Sequence, residues 1–275
     1  MPVTPTGESV ASPSGPEPGQ APPGDALLEV SDVRCSFGGV QAVAGTSFTV
    51  REGTFTALIG PNGAGKSTMV NIIGGQIRPT AGSVQFAGRS LTGMAPHEIS
   101  QAGITRTFQT ANIFPRLTVL ENLLLGVREW SGESFWSAVL GKWRWGSQEA
   151  TLVEKAQDML ERFGLTRLQN EYAGELSGGQ RRLVEIMRAL MAEPKLLLLD
   201  EPMAGINPSL ARSIAEMLSA LLADGVTLVM VEHDLHLVER VCNPVICMVQ
   251  GRVLAQGSMT ELRENREVID AYLEG

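Results

Sequence analysis

The stretch FTALIGPNGAGKSTMVNIIGGQI, residues 55–77, changes character twice within a few residues. Its first part, FTALIG, is a short apolar run, as expected of a strand buried on both faces. Its last part, Met69 to Ile77, reads as a helix. Between them Gly60 to Ser67 satisfies the pattern G-x-x-x-x-G-K-[ST] in the strand-then-helix context that gives the pattern its meaning. The residue types follow from the chemistry. Glycines let backbone N–H groups close on phosphate oxygens, Lys66 reaches the outer phosphates, and the Ser67 hydroxyl can coordinate Mg²⁺. The stretch therefore predicts an α/β protein built around a phosphate-binding loop.

A second anion site follows at ELSGGQRRLVEIMRAL, residues 175–190. Ser177, Gly178 and Gly179 stand where a long amphipathic pattern begins. Exposed N–H groups, the lack of Cβ atoms and the positive end of a helix dipole all favour an anion there. This loop has no lysine of its own to hold a triphosphate. A chain with one complete phosphate loop and one incomplete one needs a reason for the second.

Acids complete the pattern. PKLLLLDEP, residues 194–202, is a near-continuous apolar run that ends in Asp200 and Glu201. Adjacent carboxylates at the end of a buried strand are costly unless they serve a cation or a proton transfer. Asp200 fits a Mg²⁺ partner, direct or through water, and Glu201 fits the base that polarises an attacking water. VTLVMVEHD, residues 226–234, is a second such run and brings His233 to the same sheet edge, within reach of a γ-phosphate. The spacing of His233 and His236 suggests a metal, but no third ligand accompanies them, and His236 reads as a solvated helix residue. His97 lies in a loop-like stretch.

The rest of the chain fits around these runs. LLEVSDVRCSF (27–37), GTSFTV (45–50), GSVQFAG (82–88) and GITRTFQ (103–109) read as strands, the last ending at Gln109. TVLENLLLGV (118–127) and EATLVEKAQDMLERFGL (149–165) are helical, so Thr118 to about Ala192 is mainly α. PSLARSIAEMLSALLADG (208–225) is a helix with an Asp-Gly stop, and PVICMVQGRVLAQG (244–257) a hairpin on a tight Gln-Gly turn. Two short helices close the chain. All four tryptophans fall in REWSGESFWSAVLGKWRWGSQEA (128–150), either a patch facing a membrane or partner or an insert that folds back.

Composition narrows the classes. The 275 residues are 43% hydrophobic, enough for a large core in one or two domains. A formal charge of -8 offers no overall basic field, so nucleic acid is not an expected partner. Three cysteines without metal spacing read as thiols of a reducing compartment. No run approaches the roughly 18 apolar residues of a membrane span. Residues 1–26 are largely Pro, Gly, Ser and Ala, and are expected to form a disordered tail.

Taken in order, Gly60 to Thr68, Gln109, Leu176 to Gln180, Asp200, Glu201 and His233 make the chain similar to ATP-hydrolysing subunits of ABC transporters, from about Leu27 to Gly275. The resemblance implies a P-loop NTPase core sheet with an antiparallel β subdomain and an α-helical subdomain at about 110–190. It implies ATP and Mg²⁺ as cofactors. Phe37 matches the aromatic that stacks on adenine. Gly60, Pro61, Asn62, Gly63, Ala64, Gly65, Lys66, Ser67 and Thr68 hold the phosphates. Gln109 links Mg²⁺ and water to the helical subdomain, and Ser67, Gln109 and Asp200 form the metal set. Glu201, His233 and Gln109 are the catalytic group. Ser177, Gly178, Gly179 and Gln180 hold the γ-phosphate bound to a second subunit, which accounts for the missing lysine. Asn207 stands where many members carry aspartate, in the loop that crosses to that subunit.

Finer resemblance comes from GITRTFQTANIFPRLTVLENLLLG, DEPMAGINP, VEHD and VIDAYLEG, which look like ATPase subunits of branched-chain amino acid importers. Gly178 departs from that group, many of which carry a bulkier residue there. Urea, amide or lipopolysaccharide systems fit the same motifs. So, less well, do non-transport ABC proteins, which usually carry two ATPase units or a long coiled coil. The implied partners are a second ATPase subunit, membrane permease subunits and, through these, a soluble substrate-binding protein. The implied place is the cytoplasmic face of the inner membrane, bound peripherally. Ile113, Phe114, Leu117 and Val119 around Pro115 form an apolar patch beside Gln109, an expected socket for a permease helix.

Overall fold

The computed structural model describes residues 25–107, 113–127 and 147–273. Gln109, most of the tail and almost all of the tryptophan-bearing segment lie outside the described residues. The described residues build two sheets. The first is antiparallel, in the order β2 (Val40–Arg51), β1 (Ala26–Phe37), β4 (Ala81–Phe86) and β5 (Arg89–Ser90). Ala26, the last residue of the stretch expected as tail, belongs to β1. Alternate residues of β1 and β2 are buried, which is the half-solvated pattern of an antiparallel sheet.

The second sheet carries β3 (Phe55–Ile59), β6 (Ile104–Arg106), β7 (Leu196–Asp200), β8 (Thr227–Val231), β9 (Val245–Val249) and β10 (Arg252–Gly257) in the order β10-β9-β3-β8-β7-β6. All its pairings are parallel except the β9–β10 hairpin. Every residue of β3, β7 and β8 is buried. The two faces feed two cores. Leu197, Leu199, Leu228 and Met230 join the helical layer, while Leu196, Leu198, Val229 and Val231 meet the antiparallel sheet. This is why these strands read as unbroken apolar runs rather than alternating ones.

The helices among the described residues are α1 (Lys66–Ile73), α2 (Pro96–Ala102), α3 (Val119–Leu124), α4 (Ser147–Arg162), α5 (Gly178–Leu190), α6 (Pro208–Ala220), α7 (Leu235–Val241), α8 (Met259–Glu264) and α9 (Arg266–Leu273). α3, α4 and α5 are the described helices of the 110–190 region. α3 and α5 each begin on a reciprocal cap, Thr118 with Glu121 and Ser177 with Gln180.

Three expectations are corrected. The first helix runs Lys66–Ile73 rather than Met69–Ile77, because the end of the phosphate loop is itself the first helical turn and Gly74-Gly75 stops the last. His97 lies in α2 rather than in a loop; Pro96 supplies a preset helical φ and the Glu98 carboxylate accepts the Ala95 N–H. The strand expected to end at Gln109 ends at Arg106.

Candidate functional site

Parallel register aligns three loop origins on one sheet edge. Leu58 of β3 is opposite Val231 of β8, and Val231 is opposite Asp200 of β7. The segments that leave these strands are the phosphate loop, the Glu201 turn and the His233 turn. Asn62 to Thr68, Glu201 and His233 line one open cleft of about 260 Å³, together with Ala42.

The phosphate loop is wedged against its neighbours. Gly60 has φ +146°, and a Cβ there would stand 2.0 Å from the Met248 carbonyl oxygen, so only glycine fits. Ala64 accepts the Gly251 N–H from the β9–β10 turn. The Lys66 Nζ donates to the carbonyls of Gly60 and Pro61, at 2.7 and 2.9 Å. Burial holds its pKa below the usual lysine range, partly offset by the charges of Glu201, Cys247 and Asp200. Ser67 is exposed at the start of α1.

The two acids differ in setting. Asp200 is 2% exposed. Its Oδ2 accepts from Arg106 Nη2 at 2.9 Å, and its Oδ1 is buried without a hydrogen-bond partner among the described residues. Glu201 is partly exposed and sits at φ +47°, a left-handed conformation that a glutamate seldom adopts. Its N–H donates to the Val231 carbonyl. Its Oε1 lies 2.9 Å from His233 Nε2.

The other expected residues lie elsewhere. Phe37 ends β1, half exposed near the exposed Val40. Ser177 and Gly178 are exposed at the tip of α5, and none of residues 177–180 lines the phosphate-loop cleft. Asn207 caps α6, its Oδ1 accepting the Leu210 N–H. His236 is exposed on α7, as expected.

Besides Arg106, which pairs with Asp200, two residues of this framework escaped the reading of the sequence. Arg182 of α5 is buried and reaches the acid edge. Its Nε donates to the Pro202 carbonyl at 2.9 Å, its Nη2 to the carbonyls of Asp200 and Glu201 at 3.2 and 2.8 Å, and its Nη1 to Glu185 Oε2 at 2.6 Å. Glu232, also buried, accepts the N–H of Met203 at 3.1 Å and of His233 at 3.0 Å. The Arg in QRRLVE and the Glu in VEHD are the only traces these contacts leave in the sequence.

A separate cleft of about 350 Å³ opens between α2, β6 and α5, lined by His97, Gln101, Arg106, Val127, Glu185 and Arg188 among others. Phe114 stands beside it, 51% exposed, with the Arg188 guanidinium 5.5 Å from its ring centroid. Asn122 fixes its backbone at both N–H and C=O. Val119, expected in the same apolar patch, is fully buried in the helical core instead.

A phosphate loop in register with a carboxylate pair and a histidine defines a nucleotide-binding, phosphate-transferring class of protein. Residues 43–204 match the family model for ABC transporters. The "Probable branched-chain amino acid transport ATP-binding protein LivG" of Archaeoglobus fulgidus is 40% identical over 247 residues, covering 90% of this chain and 95% of the relative. An ATP-binding cassette of an ABC transporter, solved in its ADP conformation, matches with a TM-score of 0.79 and 37% identity over 91% of this chain and all of that one. A dimeric cassette in a post-hydrolysis state with ADP and Pi matches with a TM-score of 0.70 and 27% identity, over 85% and 99% of the two chains. The chain belongs to the ABC transporter family and is an ATPase of that family.

Arg182 separates stability from alignment. Arg182→Met removes the guanidinium paired with the buried Glu185 and is expected to cost about 3–5 kcal/mol in a thermal or denaturant melt. Adding Glu185→Met is expected to recover most of that stability but not ATP turnover, because the carbonyls of Asp200, Glu201 and Pro202 lose the one guanidinium that gathers them. Full turnover in the double variant would reduce Arg182 to a counter-ion.

Proposed function

We propose that the chain hydrolyses ATP as one of two subunits that close around two nucleotides and drive a separate membrane permease importing branched-chain amino acids or related small solutes. The observation that carries the reading is the shared edge on which the phosphate loop, Asp200, Glu201 and His233 converge, while the Ser177 loop faces outward from the same chain. The name of the Archaeoglobus relative supports the solute class, and the dimeric cassette supports the pairing.

Each residue then has a task. Backbone N–H groups of Gly60 to Thr68 and the Lys66 ammonium bind the phosphates, and Phe37 offers a face to adenine. The donor set suits Mg²⁺: Asp200 presents a buried Oδ1 without a hydrogen-bond partner among the described residues, and Ser67 an exposed hydroxyl at the helix start. Bound there, Mg²⁺ offsets phosphate charge. Glu201 takes the proton of the attacking water, and His233 orients Glu201 and the γ-phosphate. Gln109 is assigned to link Mg²⁺ and water to the helical region at about 110–190. Ser177, Gly178, Gly179 and Gln180 reach the γ-phosphate held by the other subunit, with Asn207 on the crossing loop. Among the described residues no helix is long and apolar enough to cross a membrane. On this reading the subunit binds peripherally at the cytoplasmic face through its permease, whose other partner is a soluble substrate-binding protein.

General-base assistance is worth about 10²–10⁴ in rate. Glu201→Gln is expected to keep ATP binding, lose turnover by a factor in that range, and accumulate an ATP-bound dimer on size exclusion. Turnover near wild type would remove Glu201 from the role.

The composite site has its own test. Ser177→Arg is expected to block hydrolysis while the isolated chain binds nucleotide almost normally. Lys66→Ala weakens binding itself. Mixing the two variants restores one working site per heterodimer. Loss of ATP binding by monomeric Ser177→Arg would show that the loop serves its own chain.

The half-exposed Phe114 beside the Arg106–Arg188 cleft fits a permease segment. Phe114→Asp is expected to leave the melting temperature and ATP binding intact while abolishing copurification with the permease. A fully buried Phe→Ala would instead cost about 3–5 kcal/mol, so a melt lowered by many degrees would place Phe114 in the core.

A further inference from the structure

His233 has 43% of its side chain open to solvent, against 21% for Glu201. A side chain so placed keeps its direction only if its backbone is held. Two anchors bracket it. On the far side Asp234 caps α7, accepting the N–H groups of His236 and Leu237. On the near side Glu232 accepts the His233 N–H through Oε2, and through Oε1 the N–H of Met203 in the turn that follows Glu201. Glu232 is 5% exposed, so both bonds are made by a carboxylate removed from water.

That geometry has a specific consequence. Glu201 and His233 leave neighbouring strands, β7 and β8, and nothing in strand pairing fixes how far their turns swing after the last ladder bond. One carboxylate spanning both turns fixes that distance. It does so beside the 2.9 Å contact between Glu201 Oε1 and His233 Nε2. Met203 also begins the segment that runs through Ile206 to the Asn207 cap of α6, so the same carboxylate ties the histidine turn to the proposed crossing loop. An apolar residue here would leave two backbone donors without these acceptors in a buried setting. An amide can accept only through its one oxygen and would present N–H to the other donor.

We propose that Glu232 is a positioning residue for hydrolysis, acting through His233 by locking the histidine turn to the turn after Glu201. The inference rests on the proposed roles of Glu201 and His233. It assigns Glu232 no contact with nucleotide or water.

The test is a double-variant cycle in the purified full-length chain. Glu232→Gln and Glu232→Asp are each made in wild-type and His233→Ala backgrounds, with ATP turnover, nucleotide affinity and thermal melts measured for all. Hydrogen bonds to charged groups are worth enough that losing one here is expected to lower kcat by about 10–100-fold. KM and nucleotide affinity are expected to stay within about twofold of wild type, a split that general unfolding would not give. In the His233→Ala background the same changes are expected to cost little more. Equal losses in both backgrounds, or kcat unchanged in the first, would overturn the assignment. Glu232→Asp keeps the charge but not the span, so it reads the same coupling if Glu232→Gln melts early. Should His233→Ala alone leave turnover intact, it is the role of His233 that fails, and that result is distinct from independent losses at Glu232.

Discussion

The structure depends on the parallel ladder of β3, β8 and β7. Parallel strands need both faces covered, so these strands carry mainly apolar side chains along their length, with Thr56 and Thr227 as buried hydroxyls near their starts. Charge is admitted where they end. Because the ladder fixes Leu58, Val231 and Asp200 side by side, the three loops that can carry polar chemistry start from one line. The phosphate loop, the acids and the histidine are therefore neighbours by register, although they are far apart in the chain. The antiparallel sheet and the helical layer each cover one face of that ladder, and their separate cores follow from it.

Loops that start together do not stay together unless something holds them. Two buried charges do this on opposite sides of the acid edge. Arg182 approaches from α5 and donates to three successive carbonyls, those of Asp200, Glu201 and Pro202. Glu232 approaches from β8 and accepts from Met203 and His233. One is a cation satisfying acceptors and the other an anion satisfying donors. Between them the Glu201 turn, held at a left-handed φ of +47°, has its polar backbone largely committed. A strained conformation at a functional residue persists only when the surroundings over-determine it.

What could be read from the sequence was local. The apolar runs, the phosphate loop, the β9–β10 turn and the helix caps each depend on residues a few positions apart, and each left a pattern. Boundaries were less legible where one segment serves two purposes, as at Lys66, which is both loop and first helical turn. α2 was missed because its start signal is Pro96 with Glu98 rather than a side-chain cap. Arg182, Glu232 and Arg106 were illegible for a different reason. A buried charge declares itself by its partners, and those partners come from other elements. Even the apolar patch after Gln109 was only half right. Val119 faces the helical core and Phe114 does not, a distinction set by the Asn122 bonds that turn the backbone at Phe114.

The same contacts join the cleft beside Phe114 to the acid edge. Arg106 lines the cleft, pairs with Asp200 Oδ2, and also donates to Asn71 and Gln76 beyond the phosphate loop. Glu185 lines the cleft as well and pairs with Arg182, whose other donors hold the carbonyls of Asp200 and Glu201. Coupling two sites requires an element whose arrangement both can bias. α5 meets that requirement physically. Its first residues present the Ser177 loop, its second turn grips the acid edge, and its last turns carry Arg188 into the cleft and under the Phe114 ring. A displacement of α5 could not leave the acid edge untouched, because Arg182 moves with the helix that bears it.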